Sequence, residues 1–177
     1  MKFFHQHDQM DCGPACLAMI SSYYGKDFGL QYLHDKSFIT REGVSLLGIS
    51  EASKKIGFKN ISAKLKTKDF ENDLLPCILH WNQNHFVVLY KISKNIFTGK
   101  LTYKIADPGH GFISINEEKF KKSWLSDGEK GVALFLEPTE EFYKQTPPQE
   151  EKLSIKYLLN YLKSYKSQMG WMFFLLT

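Results

Sequence analysis

The side chains with most chemistry to offer in this 177-residue sequence are a thiol, an imidazole and a carboxylate, and the first question is which of each is placed to react. The cysteines are Cys12, Cys16 and Cys77. Cys12 stands where a polar opening segment meets a helical one. At such a junction the free backbone N–H groups and the helix dipole favour thiolate, the reactive form. Cys16 falls one turn later inside an apolar stripe, and Cys77 heads an apolar run after Pro76; both read as small packed hydrophobes.

A nucleophile needs a base. Of His5, His7, His34, His80, His85 and His110, the best placed is His85. It follows the turn-like Asn82-Gln83-Asn84 and begins the run Phe86-Val87-Val88-Leu89-Tyr90. A strand end holds a catalytic group more firmly than a loop does. His80 lies inside a strand and reads as a packed ring, and His34 reads as part of a surface helix. His5 and His7, with Asp8, hint at a metal site, but no CxxC or HExxH spacing supports one. The base in turn needs an orienter. Asp107 ends a strand that a hairpin should pair with that of His85, so its carboxylate is placed to accept from the ring. Asp107-Pro108-Gly109 also reads as a plain turn, and the two roles are compatible. For an oxyanion the Cys12 N–H is one donor; Gln6 and Gln9 are both side-chain candidates, and spacing does not choose between them.

The elements that must position these groups come in two blocks. Helical patterns open the chain: one from Cys12 through Leu17, Ile20 and Tyr24 to a stop at Gly25, a shorter one over 30–36, and a third over 45–56 stopped by Gly57. Strand patterns follow at 61–65, 77–81, 86–92, 101–106 and 132–136, with a helical turn near 68–73, a hairpin loop at 95–100 and a helix over 116–124. Helices first and antiparallel strands afterwards predict an α+β domain over 1–138. The polar, Pro147-Pro148-containing stretch 139–151 reads as a linker.

Hydrophobic residues make up 43% and charged residues 24%, an ordinary globular balance. The net charge of +4 comes from scattered lysines without a basic block, so no nucleic-acid partner is called for. Three cysteines do not make a disulfide framework, and the polar start carries no secretory signal, which favours a reducing location. The last stretch differs. Leu153, Ile155, Leu158, Leu159 and Leu162 sit among Lys152, Lys156, Lys163 and Lys166 as a basic amphipathic helix, and residues 169–177 are almost wholly apolar but far short of a bilayer. The expectation is an interfacial helix over 152–177 running into the start of a transmembrane helix; a soluble C-terminal helix packed on the domain is the alternative.

The residues that matter also match a family. Gln6-His7-Asp8-Gln9-Met10-Asp11-Cys12-Gly13-Pro14-Ala15-Cys16-Leu17-Ala18-Met19 resembles the opening of the peptidase domains of bacteriocin-exporting ABC transporters. His85-Phe86-Val87-Val88 is similar to their histidine block, Ala106-Asp107-Pro108 to their aspartate block, and Glu42-Gly43-Val44-Ser45-Leu46-Leu47-Gly48-Ile49 is also similar. The resemblance covers about 1–137. It implies a papain-like fold with Cys12, His85 and Asp107 at the catalytic positions and Gln6, rather than Gln9, at the oxyanion hole. It implies an endopeptidase that removes leaders from secreted peptide precursors after a Gly-Gly pair, coupled to export. Its implied partners are that precursor, the transmembrane and ATP-binding parts of an exporter that is dimeric at full length, and the membrane surface through 152–177, on the cytoplasmic face. No cofactor is implied in this segment; ATP and Mg would belong to the absent nucleotide-binding domain. The loop over 93–100 is longer than the family suggests. Rival readings are a leader-docking domain that does not cut, a membrane-associated scaffold, and a papain-like amidase acting on a small molecule.

Overall fold

The computed structural model describes residues 1–37 and 43–148 and, of Gln9, the backbone. Three helices come first: α1 (Cys12–Tyr23), α2 (Leu30–Lys36) and α3 (Leu46–Lys55). Six strands follow: β1 (Phe58–Leu65), β2 (Cys77–Trp81), β3 (His85–Lys94), β4 (Leu101–Asp107), β5 (Gly111–Asn116) and β6 (Gly131–Pro138). Helix α4 (Glu117–Trp124) lies between β5 and β6, and α5 (Glu140–Lys144) follows β6. The strands form one antiparallel sheet in the order β1-β6-β2-β3-β4-β5. The α+β architecture expected from the sequence, with N-terminal helices on an antiparallel sheet, is the one observed.

Helix α1 is the centre of the first layer. Every residue from Cys12 to Ser21 is buried, so the helix is enclosed rather than amphipathic. Small residues allow that enclosure. A Cβ on Gly13 would lie 2.5 Å from Val44 Cγ1 and 2.7 Å from Ile49 Cδ1, so only glycine lets the start of α1 seat against α3. The space beside Gly13 is thus filled by protein.

The sheet is buried on both faces. Ile78, Phe86, Val88, Ala106 and Leu134 pack toward the helices with Leu17, Ile20 and Ile49. Their neighbours Leu79, Val87, Leu89, Ile105 and Ala133 point the other way, onto Phe120 and Trp124 of α4. Two buried faces explain why these strands read as continuous apolar runs rather than as alternation.

Several details depart from the sequence-based expectations. Strand β1 begins at Phe58, three residues early, because Phe58 inserts into the helical core. The stretch near 68–73 forms two 3-10 turns, Thr67–Asp69 and Asn72–Leu74. Strand β5 was not expected; it is an edge strand whose polar and glycine residues dilute the apolar signal. The chain also stays in contact with the domain past Pro138. Thr139 bonds Gly57 O through its N–H (3.1 Å) and hydroxyl (2.6 Å), and Phe142 of α5 is buried against Phe58, with ring centroids 4.4 Å apart. Gly57, at φ +88°, permits that contact, since a Cβ there would lie 2.3 Å from Phe142 N. Among the described residues no helix is long and apolar enough to cross a membrane. The amphipathic segment and apolar end expected over 152–177 lie outside the described residues.

Candidate active site

Cys12 is the first residue of α1, and a 3-10 turn over Gln9–Asp11 delivers it there. The burial of α1 fixes the position of its sulfur, and the residue is only 3% exposed.

His85 is held from the turn that precedes it. Asn82 and Gln83 both have positive φ, +48° and +64°, and the Asn84 N–H donates to Trp81 O (3.2 Å). With Asn84 these two left-handed residues make the three-residue loop of the β2–β3 hairpin. A left-handed glutamine is uncommon, and the turn is pinned from outside as the Asn82 N–H donates to Ser123 O (2.8 Å) at the end of α4. His85 therefore opens β3 opposite Trp81, on a strand whose next residues are fully packed.

Asp107 ends β4. Strands β3 and β4 pair with Val88 opposite Ala106, which brings the two strand ends together. The His85 Nε2–H donates to Asp107 Oδ1 at 2.9 Å. The same oxygen accepts the Gly109 N–H at 2.9 Å, and Oδ2 accepts from His110 Nδ1 at 2.9 Å. Asp107 is thus both the turn residue and the ring's partner, and it is 4% exposed.

The electrostatics follow from these contacts. Burial works against a charged His85, but hydrogen bonds to Asp107 and Cys12, and the negative charge of both, outweigh it and push the ring up to about 9. Burial likewise works against ionised Asp107. The hydrogen bonds from His85, the Gly109 N–H and His110, together with the charge on His85, hold it down at about 2. The imidazole therefore bridges a thiol and a carboxylate and is cationic at neutral pH. Such an arrangement can carry out acyl transfer, with the sulfur as nucleophile, the ring as proton carrier and the carboxylate fixing the ring. The other two thiols are governed by burial. Burial, reinforced by the charges of Cys12 and Asp107, raises Cys16 well above an ordinary thiol, and burial alone raises Cys77.

Gln6 joins the cluster from the N-terminal segment. Its N–H donates to Pro108 O (3.2 Å), and its side-chain amide packs beside Gly109. The amide Oε1 is buried and has no hydrogen-bond partner among the described residues. The side chain of Gln9 is outside the described residues. His80 is half-buried, its ring 5.2 Å from that of Phe86, and burial lowers its pKa, as a packed ring requires. Two contacts escaped the sequence reading. His110 supports Asp107 from three residues away, a spacing that could have been noticed. His34, assigned to a surface helix, reaches Asp11 across 23 residues of sequence, and no local signal announces that contact.

Comparison with known proteins agrees with this geometry. Residues 1–141 match the model of the peptidase C39 family. The chain is 32% identical over 169 residues to the colicin V secretion/processing ATP-binding protein CvaB of Escherichia coli, covering 96% of this chain and 22% of that protein. It is 34% identical over 159 residues to the lactococcin-G-processing and transport ATP-binding protein LagD of Lactococcus lactis subsp. lactis, covering 86% and 21%. The chain therefore spans about a fifth of the length of these relatives. Among solved structures, the peptidase domain of Streptococcus ComA aligns with a TM-score of 0.67 at 34% identity, over 78% of this chain and 98% of that one. A double glycine motif protease from an AMS/PCAT transporter, solved with its leader peptide, aligns with a TM-score of 0.65 at 31% identity, over 78% and 91%. With its papain-like arrangement of buried helix and antiparallel sheet, this chain is a cysteine peptidase that belongs to the peptidase C39 family.

Proposed function

We propose that the chain is the peptidase part of an ABC exporter and removes the leader of a secreted peptide precursor by cutting after a Gly-Gly pair. The observation that carries this is the contact line from Cys12 through His85 to Asp107, built on a helix start and two strand ends. Cys12 is nearly sealed, so a peptide reaching its sulfur must be slim. Two glycines leading up to the scissile bond would satisfy that steric demand, and side chains there would be excluded.

In this reading the Cys12 thiolate attacks the carbonyl carbon of the second glycine, and the carbonyl electron pair moves to oxygen. Gln6 and the Cys12 N–H hold that oxyanion. The carbonyl re-forms as the C–N bond breaks, and protonated His85 gives its proton to the leaving amine. Loss of the thiolate charge then lowers the proton affinity of the ring. His85 becomes a base, takes a proton from water, and the hydroxide releases the leader as a carboxylate while the thiolate returns. Asp107 fixes the ring and favours its cationic form.

The partners that go with this reading are the precursor, the membrane and ATP-binding parts of the exporter, and a membrane surface at the cytoplasmic face. Dimerisation and contact through residues 152–177 would belong to the full-length protein, as would ATP and Mg acting in its nucleotide-binding part. The names of the relatives, which couple processing to transport, support this reading.

Incubation of the chain with a synthetic precursor carrying Gly-Gly, beside the same peptide with Gly-Gly replaced by Val-Val, tests it. The expected result is a single cut after the second glycine and none in the control. Binding of the leader with no cut would favour a docking domain instead.

A further inference from the structure

Asp11 occupies the N-cap position of α1, yet its side chain makes no capping hydrogen bond. Elsewhere this chain uses such residues in the ordinary way. Ser45 Oγ accepts the Gly48 N–H of α3 (3.0 Å), Asn116 Oδ1 accepts the Lys119 N–H of α4 (2.9 Å), and Asp8 Oδ1 accepts the Met10 N–H (2.7 Å). Thr139, ahead of α5, is diverted to Gly57, but that helix carries no reactive group. Asp11 is diverted at the helix that carries the nucleophile. Its Oδ1 instead accepts from His34 Nδ1 on α2 at 2.6 Å, and the aspartate is 5% exposed.

The alternative geometry is easy to specify. An N-cap aspartate normally accepts from the second or third N–H of its helix. Here the third residue is Pro14, which has no N–H, so the available donor is that of Gly13. A carboxylate there would sit one residue from the sulfur, occupy a donor at the positive end of α1 and place negative charge beside the thiolate. Each effect disfavours an anion at Cys12. We propose that His34 is a positioning residue: it holds the Asp11 carboxylate away from the start of α1 and so keeps that helix end open to the negative charge of the reaction. This rests on the peptidase reading for the cleavage step but not for the reactivity of the thiol.

The test uses two readouts on the whole chain: cleavage of the Gly-Gly peptide, and carboxamidomethylation of Cys12 by iodoacetamide followed by mass spectrometry. His34→Ala frees the carboxylate, and both rates should fall about tenfold. His34→Asn keeps an N–H near the position of Nδ1 and should stay within about threefold of the native rate. The deciding variant is the double change Asp11→Ala with His34→Ala. It lacks the carboxylate that needs restraint and should regain most of the lost rate, whereas a purely structural contact would leave it as slow as the single change or slower. Alkylation of His34→Ala at the native rate overturns the proposal, and so does a double variant without recovery. If His34→Ala melts well below the native chain, Asp11→Ala alone decides: its alkylation should remain within about threefold of native, and a tenfold loss defeats the idea. Should no peptide be cut by the native chain, the leader-peptidase reading fails, while alkylation still reports on His34.

Discussion

The two faces of the sheet are packed with different material. On the helical side, small residues let backbones close in: Gly13, Ala15, Cys16 and Ala18 of α1 are all buried. On the other side aromatics dominate. Tyr103 stacks on Phe120 with centroids 3.9 Å apart and planes 10° apart, and Phe70 lies 4.9 Å from Trp124, whose Nε1–H donates to Val132 O (3.0 Å). The reactive groups meet at the rim of the sheet where the helical side begins. Val87 and Leu89 of β3, and Tyr103 and Ile105 of β4, are anchored in the aromatic side. One face thus presents the sulfur, while the other holds the two strands whose ends carry His85 and Asp107. The difference teaches that chemistry and rigidity have been assigned to opposite sides of one sheet.

Substitutions on each side should therefore fail in different ways. Cys12→Ala should abolish peptide cleavage, a loss of about 10⁴-fold or more, with little change in the melting curve; measurable turnover would remove Cys12 from the nucleophile's role. Asp107→Asn should cost about a hundredfold in kcat/KM. It should also bring the alkaline limb of the pH profile down from about 9, because the carboxylate charge that raises His85 is gone. A limb that stays in place would deny Asp107 its influence on the ring. Phe120→Ala, on the aromatic side, should destabilise the fold by about 3–5 kcal/mol in urea. Turnover per folded molecule should be unchanged at low denaturant. A selective loss of kcat in that variant would mean that the aromatic side does more than hold the strands.

The two sides also differ in how readily the sequence shows them. Cys12, His85 and Asp107 could be singled out as candidates because each carries a local mark, a cysteine at a helix start, a histidine after a turn, an aspartate at a strand end, while the family resemblance weighted Asp107 beyond a plain turn residue. The hairpin between β3 and β4 then implied that the last two meet, which the 2.9 Å contact bears out. The helices and the central strands were legible for a similar reason, since burial leaves long apolar runs. Strand β5 was not, because an edge strand has half its residues exposed and little pattern to read. Phe142 was hidden in a polar stretch, and only the third dimension shows it resting on Gly57 and Phe58. The Asp11–His34 pair was invisible for the same reason: the residues are 23 apart, and nothing about a histidine on α2 specifies its partner.

The smallest expected effect is a pH dependence of stability that arises mainly on one side. His85 is raised to about 9 against an ordinary 6.5, so its contribution is complete below pH 6.5 and is lost as pH rises through 9. Asp107 is held at about 2 against 3.8, so its contribution is complete above pH 3.8 and lost as pH falls toward 2. Together they give a plateau between about pH 4 and 6.5, with a decline on each side. Asp127, held low by Lys64 and the N–H groups of Lys130 and Glu129, shares the acid decline, so the alkaline side is the cleaner measurement. On the aromatic face, burial and then the charge of Glu117 raise Tyr103 to about 12, beyond this range. The burial that raises Cys77, like that of Cys16, adds to the decline only where an unfolded thiol ionises, above about pH 8.5. Unfolding free energies from urea titrations at pH 6, 7.5 and 9 should therefore fall for the native chain, by on the order of 2 kcal/mol in total. Phe120→Ala should run parallel to it at lower stability. Asp107→Asn should run flatter, because its ring has lost the carboxylate that keeps it charged. Parallel lines for all three would show that the alkaline slope arises elsewhere in the molecule and that the pair at the rim does not link proton binding to folding.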